Sequence, residues 1–328
     1  MEQILLKEIP KEKDYPIAHL LRISDLALRE GKKGHFLQFS AGDKSSSWRW
    51  CKKWDSSPEE FGRLKTQEIL FVRGKTDVYN DNLQLVADSL AIPEALPDDL
   101  MRSLMPSSLY EIKFLKREIW AYIQKMENSF IKTLSEMMIT DDFVKRTLSE
   151  VPAGLKMHHS YRGGLLTHIY RLLVMADNLV DTINNNPYPG KRPCKINKDI
   201  VMFGVIMHDM YKCWEYTASL EYAKKGNLLN HLPMGMIEIN RKMDKIEKFP
   251  EEIRLQLTHL LGSHHGQVDW GSPFTPKTTE AIILHHLDNL FSKLDPMLEA
   301  LHELPEGEVW SEKLYTLRGP AYLGGMLI

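Results

Sequence analysis

Residues 15–92 contain several short segments in which apolar and polar side chains alternate. Alternation with a period of two predicts β-strands that bury one face. Turn-forming residues at Gly42 and Asp43, and again at Asn80 and Asp81, separate these segments. Several short strands joined by tight turns predict a small closed barrel. The segments with the clearest alternation are 35–40, 48–54, 68–74 and 82–87.

From Ser108 onward the apolar residues recur at the helical period, and no strand pattern of comparable strength returns. Pro93, Pro97 and Pro106 lie in the interrupted stretch between the two patterns. We therefore predict a β-barrel domain at 1–92, a linker at 93–107 and an all-α domain at 108–328. The first helical stripe is formed by Leu109, Ile112, Leu115, Ile119, Tyr122 and Ile123. Further helical patterns cover 163–184, 198–211, 229–246, 250–262 and 277–293.

Length and composition indicate a globular protein without a membrane span. The 328 residues are sufficient for two domains, and no run of 18 apolar residues is present. The first eight residues include acidic side chains and do not resemble a secretory signal. Three separated cysteines without a CxxC pair suit a reducing compartment. We expect a cytoplasmic location.

The net charge of −2 conceals a basic segment. Between Arg29 and Lys53 the chain has seven basic and two acidic residues, a local charge of +5. In a barrel, such cations can follow the backbone of a single-stranded nucleic acid, and aromatic rings can stack on its bases. Arg49 and Lys53 have the opposite strand parity to Trp48, Trp50 and Trp54, which predicts exposed cations and a tryptophan face in the barrel core. An ordinary solvated hairpin face is the alternative interpretation.

Histidine and aspartate recur in the helical part, in five short segments whose side chains can converge. Imidazole and carboxylate together suit divalent manganese, iron, cobalt or zinc. The adjacent pair His208 and Asp209 follows the apolar run 200–207, where an unpaired carboxylate is costly to bury. A bound metal is the simplest compensation. The histidines and aspartates of these segments are His168, His208, Asp209, His231, His264, His265, His285, His286 and Asp288.

The order His168, then His208-Asp209, then Asp288 resembles the H…HD…D pattern of the HD superfamily of metal-dependent phosphohydrolases. The resemblance implies that His168, His208, Asp209 and Asp288 bind a first metal ion. The additional histidines resemble the HD proteins that hold two ions. In those proteins the aspartate of the HD pair bridges both ions, so the second ion would be bound by Asp209, His231, His264 and His265. We expect manganese, with iron, cobalt or zinc as alternatives.

Other residues near these segments are candidates for substrate contacts or for orienting the ligands. Lys212 matches the lysine of the HDxxK motif, which implies a contact to substrate phosphate, although Tyr211 replaces the usual glycine. His158 and His159 precede the first ligand and are candidates for contacting a phosphate, or for structural contacts to the following helix. His285 and His286 precede Asp288, and one of them is a candidate for orienting a carboxylate.

Flanking motifs narrow the resemblance to the YhaM-type 3′–5′ exoribonucleases. His158-His159, the segments 163–168 and 263–266, and the ending 314–320 are similar to that family, in which an N-terminal OB-fold and a helical linker precede the HD domain. This implies a metal-dependent exoribonuclease acting on single-stranded RNA, with single-stranded DNA as a second substrate class. Asp209 and Lys212 would be catalytic, and homo-oligomerisation stays open. The cations expected to contact phosphates are Lys32, Lys33, Arg49 and Lys53.

Two other functions remain open from the residues. The first is an HD-type nucleotidase or small-nucleotide phosphodiesterase that uses the same metal site. Against a cyclic di-GMP enzyme, the HD-GYP signature is absent after His265. The second is a non-catalytic module that binds single strands, which the intact set of seven ligands disfavours.

Overall fold

A computed structural model describes residues 4–32, 34–79, 82–94, 104, 108–154, 161–192, 194–216, 222–302, 304, 307–314 and 316–324. The chain divides into two compact units, Met1–Ser107 and Ser108–Ile328. Within the described ranges, every helix is too short or too polar to cross a lipid bilayer.

The first unit is a closed five-stranded barrel with the strand order β1-β2-β3-β5-β4. Strands β3 and β5 pair in parallel, and the other neighbours are antiparallel. A short helix, α1 (Pro58–Leu64), follows β3, and together these features give an OB-like barrel. The barrel predicted from the alternating segments is confirmed. Its strands are β1 (Pro16–Gly31), β2 (Gly34–Gly42), β3 (Ser47–Lys53), β4 (Ile69–Tyr79) and β5 (Asn82–Ala91).

Local side-chain contacts explain how two connections of the barrel form. Asp43 closes the turn between β2 and β3, because its Oδ1 accepts hydrogen bonds from the backbone amides of Ser45 (2.7 Å) and Ser46 (3.1 Å). Its Oδ2 accepts one from the amide of Leu6 at 2.7 Å. Ser57 caps α1 by accepting from the amide of Glu60 at 3.1 Å.

Strand β3 contains a β-bulge that overturns the predicted parity of its tryptophans. Phe39 of β2 pairs with Cys51, whereas Ala41 pairs with Trp48, so β3 has one extra residue between these pairs. Trp50 lies in this extra step and has φ 61°. The bulge reverses the faces beyond it. Trp48 is buried as expected, but Trp50 is 63% exposed.

The second unit is helical, as predicted, and most of the predicted helices have closely matching bounds. The helix predicted at 198–211 ends earlier, at Met207, and the last one continues to His302. The helices are α2 (Ile112–Gln124), α3 (Ser129–Ile139), α4 (Asp142–Thr147), α5 (Gly164–Asn185), α6 (Lys198–Met207), α7 (Lys212–Glu215), α8 (Lys224–Leu229), α9 (His231–Met243), α10 (Glu251–Ser263) and α11 (Thr279–His302).

Helix α6 lies in the centre of this unit, because its residues from Ile200 to Met207 are all buried. Gly204 faces Leu260 of α10 and Leu284 of α11, and a Cβ atom at this position would overlap with the Leu260 side chain and crowd that of Leu284. The three helices therefore pack closely at a residue that has no side chain.

The end of the chain differs from the all-α prediction. Strands β6 (Trp310–Leu314) and β7 (Gly319–Tyr322) form a two-stranded antiparallel sheet. Trp310 pairs with Tyr322, and their ring centroids are 4.6 Å apart. These strands are short and irregular in register, so alternation along the sequence did not reveal them.

Candidate metal centre

Four of the predicted ligands, from three helices, converge into one group. His168 lies in the first turns of α5, His208 and Asp209 directly follow α6, and Asp288 lies in α11. His168 Nε2 is 3.1 Å from Asp288 Oδ1 and 3.3 Å from His208 Nε2. The ligand atoms of all four residues lie within 4.8 Å of one another. This group is the set that the HD resemblance implied for a first metal ion.

The other three predicted ligands form a second group. His231 is the first residue of α9, and His264 and His265 follow α10. Their ligand nitrogens also lie within 4.8 Å of one another. His231 and His264 are buried, and His265 is partly exposed. This group therefore has the composition expected for a second ion.

Asp209 faces both groups, one with each carboxylate oxygen. Its Oδ2 is 3.4 Å from His208 Nε2 and 3.9 Å from His168 Nε2. Its Oδ1 is 3.3 Å from His231 Nε2 and 3.9 Å from His264 Nε2. A carboxylate in this position can bind two ions at once.

Four of the histidines use Nδ1 as a hydrogen-bond donor. The acceptors are backbone carbonyl oxygens or a carboxylate, so each Nδ1 must bear a proton, and Nε2 is the nitrogen available to a metal ion once it is deprotonated. His208 donates to Val205 (3.0 Å), His264 to Leu261 (2.7 Å), His265 to Trp270 (2.9 Å) and His231 to Glu215 Oε2 (2.5 Å).

Burial and charge set the protonation of the ligands. Burial lowers the pKa of His168 and His264, and it lowers the pKa of His265 to about 4, so these imidazoles favour the neutral form that binds metals. Burial alone would raise the pKa of Asp209, but the Lys212 ammonium and His208 hold it well below its usual range. His208 differs: burial opposes its charge, yet the Asp209 and Asp288 carboxylates raise its pKa to about 10.

If these residues bind metal ions, some of their buried ligand atoms should have no hydrogen-bond partner within the protein. Among the described residues, His231 Nε2 and His264 Nε2 are buried and make no hydrogen bond. Buried nitrogens of this kind are costly unless they bind something. The donor set of imidazole and carboxylate matches first-row divalent ions. The two groups therefore fit bound metal.

Lys212, expected to contact substrate phosphate, is buried and contacts Asp209. Its Nζ donates hydrogen bonds to Asp209 Oδ2 at 2.7 Å and to the carbonyl oxygen of Ala153 at 2.5 Å. Lys212 therefore holds the carboxylate that lies between the two groups.

Two residues that contact the ligands were not identified in this role from the sequence. Glu215 is buried and accepts the hydrogen bond of His231, and the only sequence signal is its position six residues after Asp209. His285, one of two candidates for orienting a carboxylate, donates from Nδ1 to the backbone carbonyl of His264 at 2.9 Å. This contact holds the end of α10, where two ligands lie.

In the barrel unit, the predicted phosphate-binding residues have different surroundings. Lys32 and Arg49 are exposed. Lys53, predicted to be an exposed cation, is largely buried, and its Nζ lies 3.1 Å from Glu60 Oε2. The β3 bulge explains this error in parity. Lys33, His158 and His159 lie outside the described residues.

Aromatic rings are also present on the barrel surface. Trp54, just beyond β3, is 51% exposed, and its ring centroid lies 4.9 Å from that of Phe36. The ammonium of Lys52 lies 5.6 Å from the Trp54 ring centroid. Trp50 and Trp54 therefore face solvent rather than the barrel core.

Comparison with known proteins shows that the chain is similar to known exoribonucleases. The chain is 32% identical over 294 residues to the 3′-5′ exoribonuclease YhaM of Geobacillus sp. (strain WCH70), covering 88% of this chain and 85% of that protein. It is 30% identical over 290 residues to the 3′-5′ exoribonuclease YhaM of Shouchella clausii (strain KSM-K16), covering 86% of this chain and 84% of that protein. No protein-family model matches the chain.

Proposed function

Because this chain belongs to the YhaM family of 3′–5′ exoribonucleases, we propose that it is a metal-dependent phosphodiesterase that removes nucleotides from the 3′ end of single-stranded RNA. The alignments confirm the family resemblance seen in the flanking motifs. They cover most of both chains, so the proposal concerns the whole protein. Single-stranded DNA is the second substrate class to be tested.

The position of Asp209 between the two ligand groups carries this proposal. An isolated one-metal HD site does not require His231, His264 and His265. Here the ligand nitrogens of these three histidines lie close together, and Oδ1 of Asp209 is directed at those of His231 and His264. This arrangement supports two divalent ions, with manganese as the first candidate and iron, cobalt or zinc as alternatives.

The proposed ligands of the first ion are His168, His208, Asp209 and Asp288. Those of the second ion are Asp209, His231, His264 and His265. When bound, two such ions supply a Lewis acid for the phosphoryl oxygens and a water molecule of lowered pKa.

The protein residues would determine where that chemistry takes place. Asp209 would bind both ions, and Lys212 would hold the Asp209 carboxylate in place through its ammonium group. The Nδ1 anchors of the histidines would keep each Nε2 directed at its ion. Lys212 would affect the substrate phosphate through its charge and through Asp209, since its described contacts are to the protein.

The OB-like barrel would hold the single strand. Exposed cations and exposed rings suit a nucleic acid whose bases are unpaired, because cations contact phosphates and rings stack on bases. Lys32, Lys33 and Arg49 are the proposed phosphate contacts. Lys53 is less well placed, because it is paired with Glu60.

The proposal is tested with an RNA oligonucleotide labelled at its 5′ end and a DNA oligonucleotide of the same sequence. Each is incubated with the protein and Mn²⁺, and separately with EDTA. The expected result is a ladder of products that shorten one nucleotide at a time, only in the presence of metal. A 3′-labelled copy should release labelled mononucleotide at the start of the reaction.

Other products would contradict the proposal. Turnover of free nucleotides without shortening of RNA would favour the nucleotidase. Internal fragments before any mononucleotide would indicate an endonuclease. RNA binding without hydrolysis in Mn²⁺ would favour the non-catalytic module.

A further inference from the structure

Glu215 is a buried carboxylate at the end of α7 that contacts a ligand of the second group. The residue is 4% exposed, and its Oε2 accepts a hydrogen bond of 2.5 Å from His231 Nδ1. The other nitrogen of the same ring, Nε2, is buried without a hydrogen bond and lies 3.3 Å from Asp209 Oδ1. The imidazole of His231 thus connects two carboxylates.

The backbone of Glu215 is held in place independently of this hydrogen bond. Its amide donates to the carbonyl of Tyr211 at 3.2 Å, and its carbonyl accepts from the amide of Ala223 at 2.8 Å. Gly226 of α8 packs against it so closely that a Cβ atom there would overlap with the backbone of Glu215. The backbone position of Glu215 is therefore fixed by contacts other than its side-chain hydrogen bond to His231.

The position of His231 is fixed as well. It follows Asn230, which has φ 46° and whose side chain accepts from the amide of Leu232 at 3.1 Å. Asn230 ends α8 and caps α9. The segment from Ala223 to His231 thus holds both partners of the hydrogen bond.

The second group depends on this contact more than the first group does. The first group contains two carboxylates, Asp209 and Asp288, which attract a cation directly. The second group contains three imidazoles and shares only Asp209. A carboxylate that accepts a hydrogen bond from Nδ1 makes the opposite nitrogen a stronger metal ligand and fixes the tautomer of the imidazole. Glu215 gives the second group this additional negative charge.

We propose that Glu215 is the positioning residue that decides whether the centre holds two metal ions or one. It acts through His231 and does not touch the substrate. The inference depends on the proposed two-ion function of the same site. Loss of Glu215 should leave the first ion in place and weaken the second.

The test measures metal binding directly. Wild type and Glu215→Gln are titrated with Mn²⁺ by calorimetry, and bound manganese is counted by elemental analysis after desalting. Glutamine keeps an oxygen acceptor but removes the charge. We expect two ions in wild type, and in the variant an unchanged first affinity with a second affinity about 10- to 100-fold weaker. The unchanged first affinity also reports that the variant is folded.

Further variants separate positioning from general structural damage. Glu252→Gln, an exposed carboxylate on α10, should behave as wild type. Glu215→Asp, which keeps the charge on a shorter side chain, should bind the second ion with intermediate affinity. His231→Gln should lose the second ion, and adding Glu215→Gln to it should weaken binding no further, since the two residues act as a pair.

The failures of the two proposals can be distinguished. If Glu215→Gln binds two ions with the same two affinities as wild type, the role of Glu215 is overturned and the two-ion site stays intact. A wild-type protein that binds a single ion would overturn the two-ion function together with this inference. Loss of both ions in Glu215→Asp would show that Glu215 supports the fold rather than the second ion.

Discussion

Lys212 Nζ lies 2.7 Å from Asp209 Oδ2, so the carboxylate between the two ligand groups has a buried ammonium partner. Removing one member of a buried ion pair leaves the other uncompensated. In EDTA, Lys212→Ala should therefore lose roughly 3 kcal/mol of stability. With Mn²⁺ bound, the loss should be smaller, because the ions would compensate the charge of Asp209.

Thermal unfolding in EDTA and in Mn²⁺ measures this difference. Lys242→Ala is the matched control, because Lys242 pairs with Asp141 at 2.8 Å at a more exposed site. Its effect should be the same in both conditions. If metal does not reduce the loss in Lys212→Ala, the ammonium does not serve the charge of Asp209.

Asp209→Asn should abolish hydrolysis and leave binding to single-stranded RNA largely intact. The substitution removes the charge of the carboxylate whose two oxygens face the two ligand groups, whereas the barrel is a separate compact unit. Hydrolysis of labelled RNA and fluorescence anisotropy of the same oligonucleotide measure the two properties separately. Asp142→Asn, an exposed aspartate in α4, is the control and should keep full activity. Near wild-type hydrolysis by Asp209→Asn would exclude the bridging role.

Replacing Lys32, Lys33 and Arg49 together with Gln should make RNA binding less sensitive to salt. Each lost phosphate contact lowers the slope of log K against log salt by about 0.7 for a single strand. Anisotropy titrations at several salt concentrations give the slope. Lys53→Gln is the control: because Lys53 pairs with Glu60, it should destabilise the barrel without changing the slope. An unchanged slope in the triple variant would mean that these cations do not contact the RNA backbone.

Because His265 is held neutral in the folded protein, the metal-free protein should become less stable as the pH falls. Its pKa is about 4 in the folded protein, against about 6.5 when unfolded. Between these values the unfolded chain binds more protons, so the free energy of unfolding decreases with decreasing pH. Between pH 7 and pH 5, the free energy of unfolding of His265→Asn should therefore rise by about 1 to 2 kcal/mol relative to that of wild type.

Urea unfolding in EDTA, followed by far-UV circular dichroism, gives this difference at each pH. His302→Asn, an exposed histidine at the end of α11, is the matched control. The same pH dependence in both variants would show that His265 is not held neutral.

The sequence was most informative where a pattern extends over several turns of helix. Long apolar stripes predicted α5, α6 and α10 to within a few residues, apart from the earlier end of α6. The seven candidate ligands were found because the order of histidine and aspartate resembles a known family. The structure brings all seven together in two groups. Their metal-binding role stays a prediction.

The features that were missed depend on contacts or on single residues. Glu215 has no distinguishing neighbour in the sequence, and its hydrogen bond to His231 forms only when α7 and α9 meet. The parity prediction for Trp50 and Lys53 assumed an uninterrupted strand, and one extra residue in β3 reversed it. The motif of Lys212 predicted a phosphate contact, and the structure adds a contact to Asp209 that the motif did not predict.

The close packing around Gly204 connects the apolar core of the helical unit to the two groups of candidate ligands. Helices α6, α10 and α11 meet at this residue, and each of them also leads to or contains a ligand: His208, His264 or Asp288. An added methyl group would displace the side chain of Leu260 and crowd that of Leu284. A substitution at a position without polar chemistry would then disturb two helices that lead to candidate ligands. Under the proposed two-ion function, substitutions in this part of the apolar core would affect metal binding as well as stability.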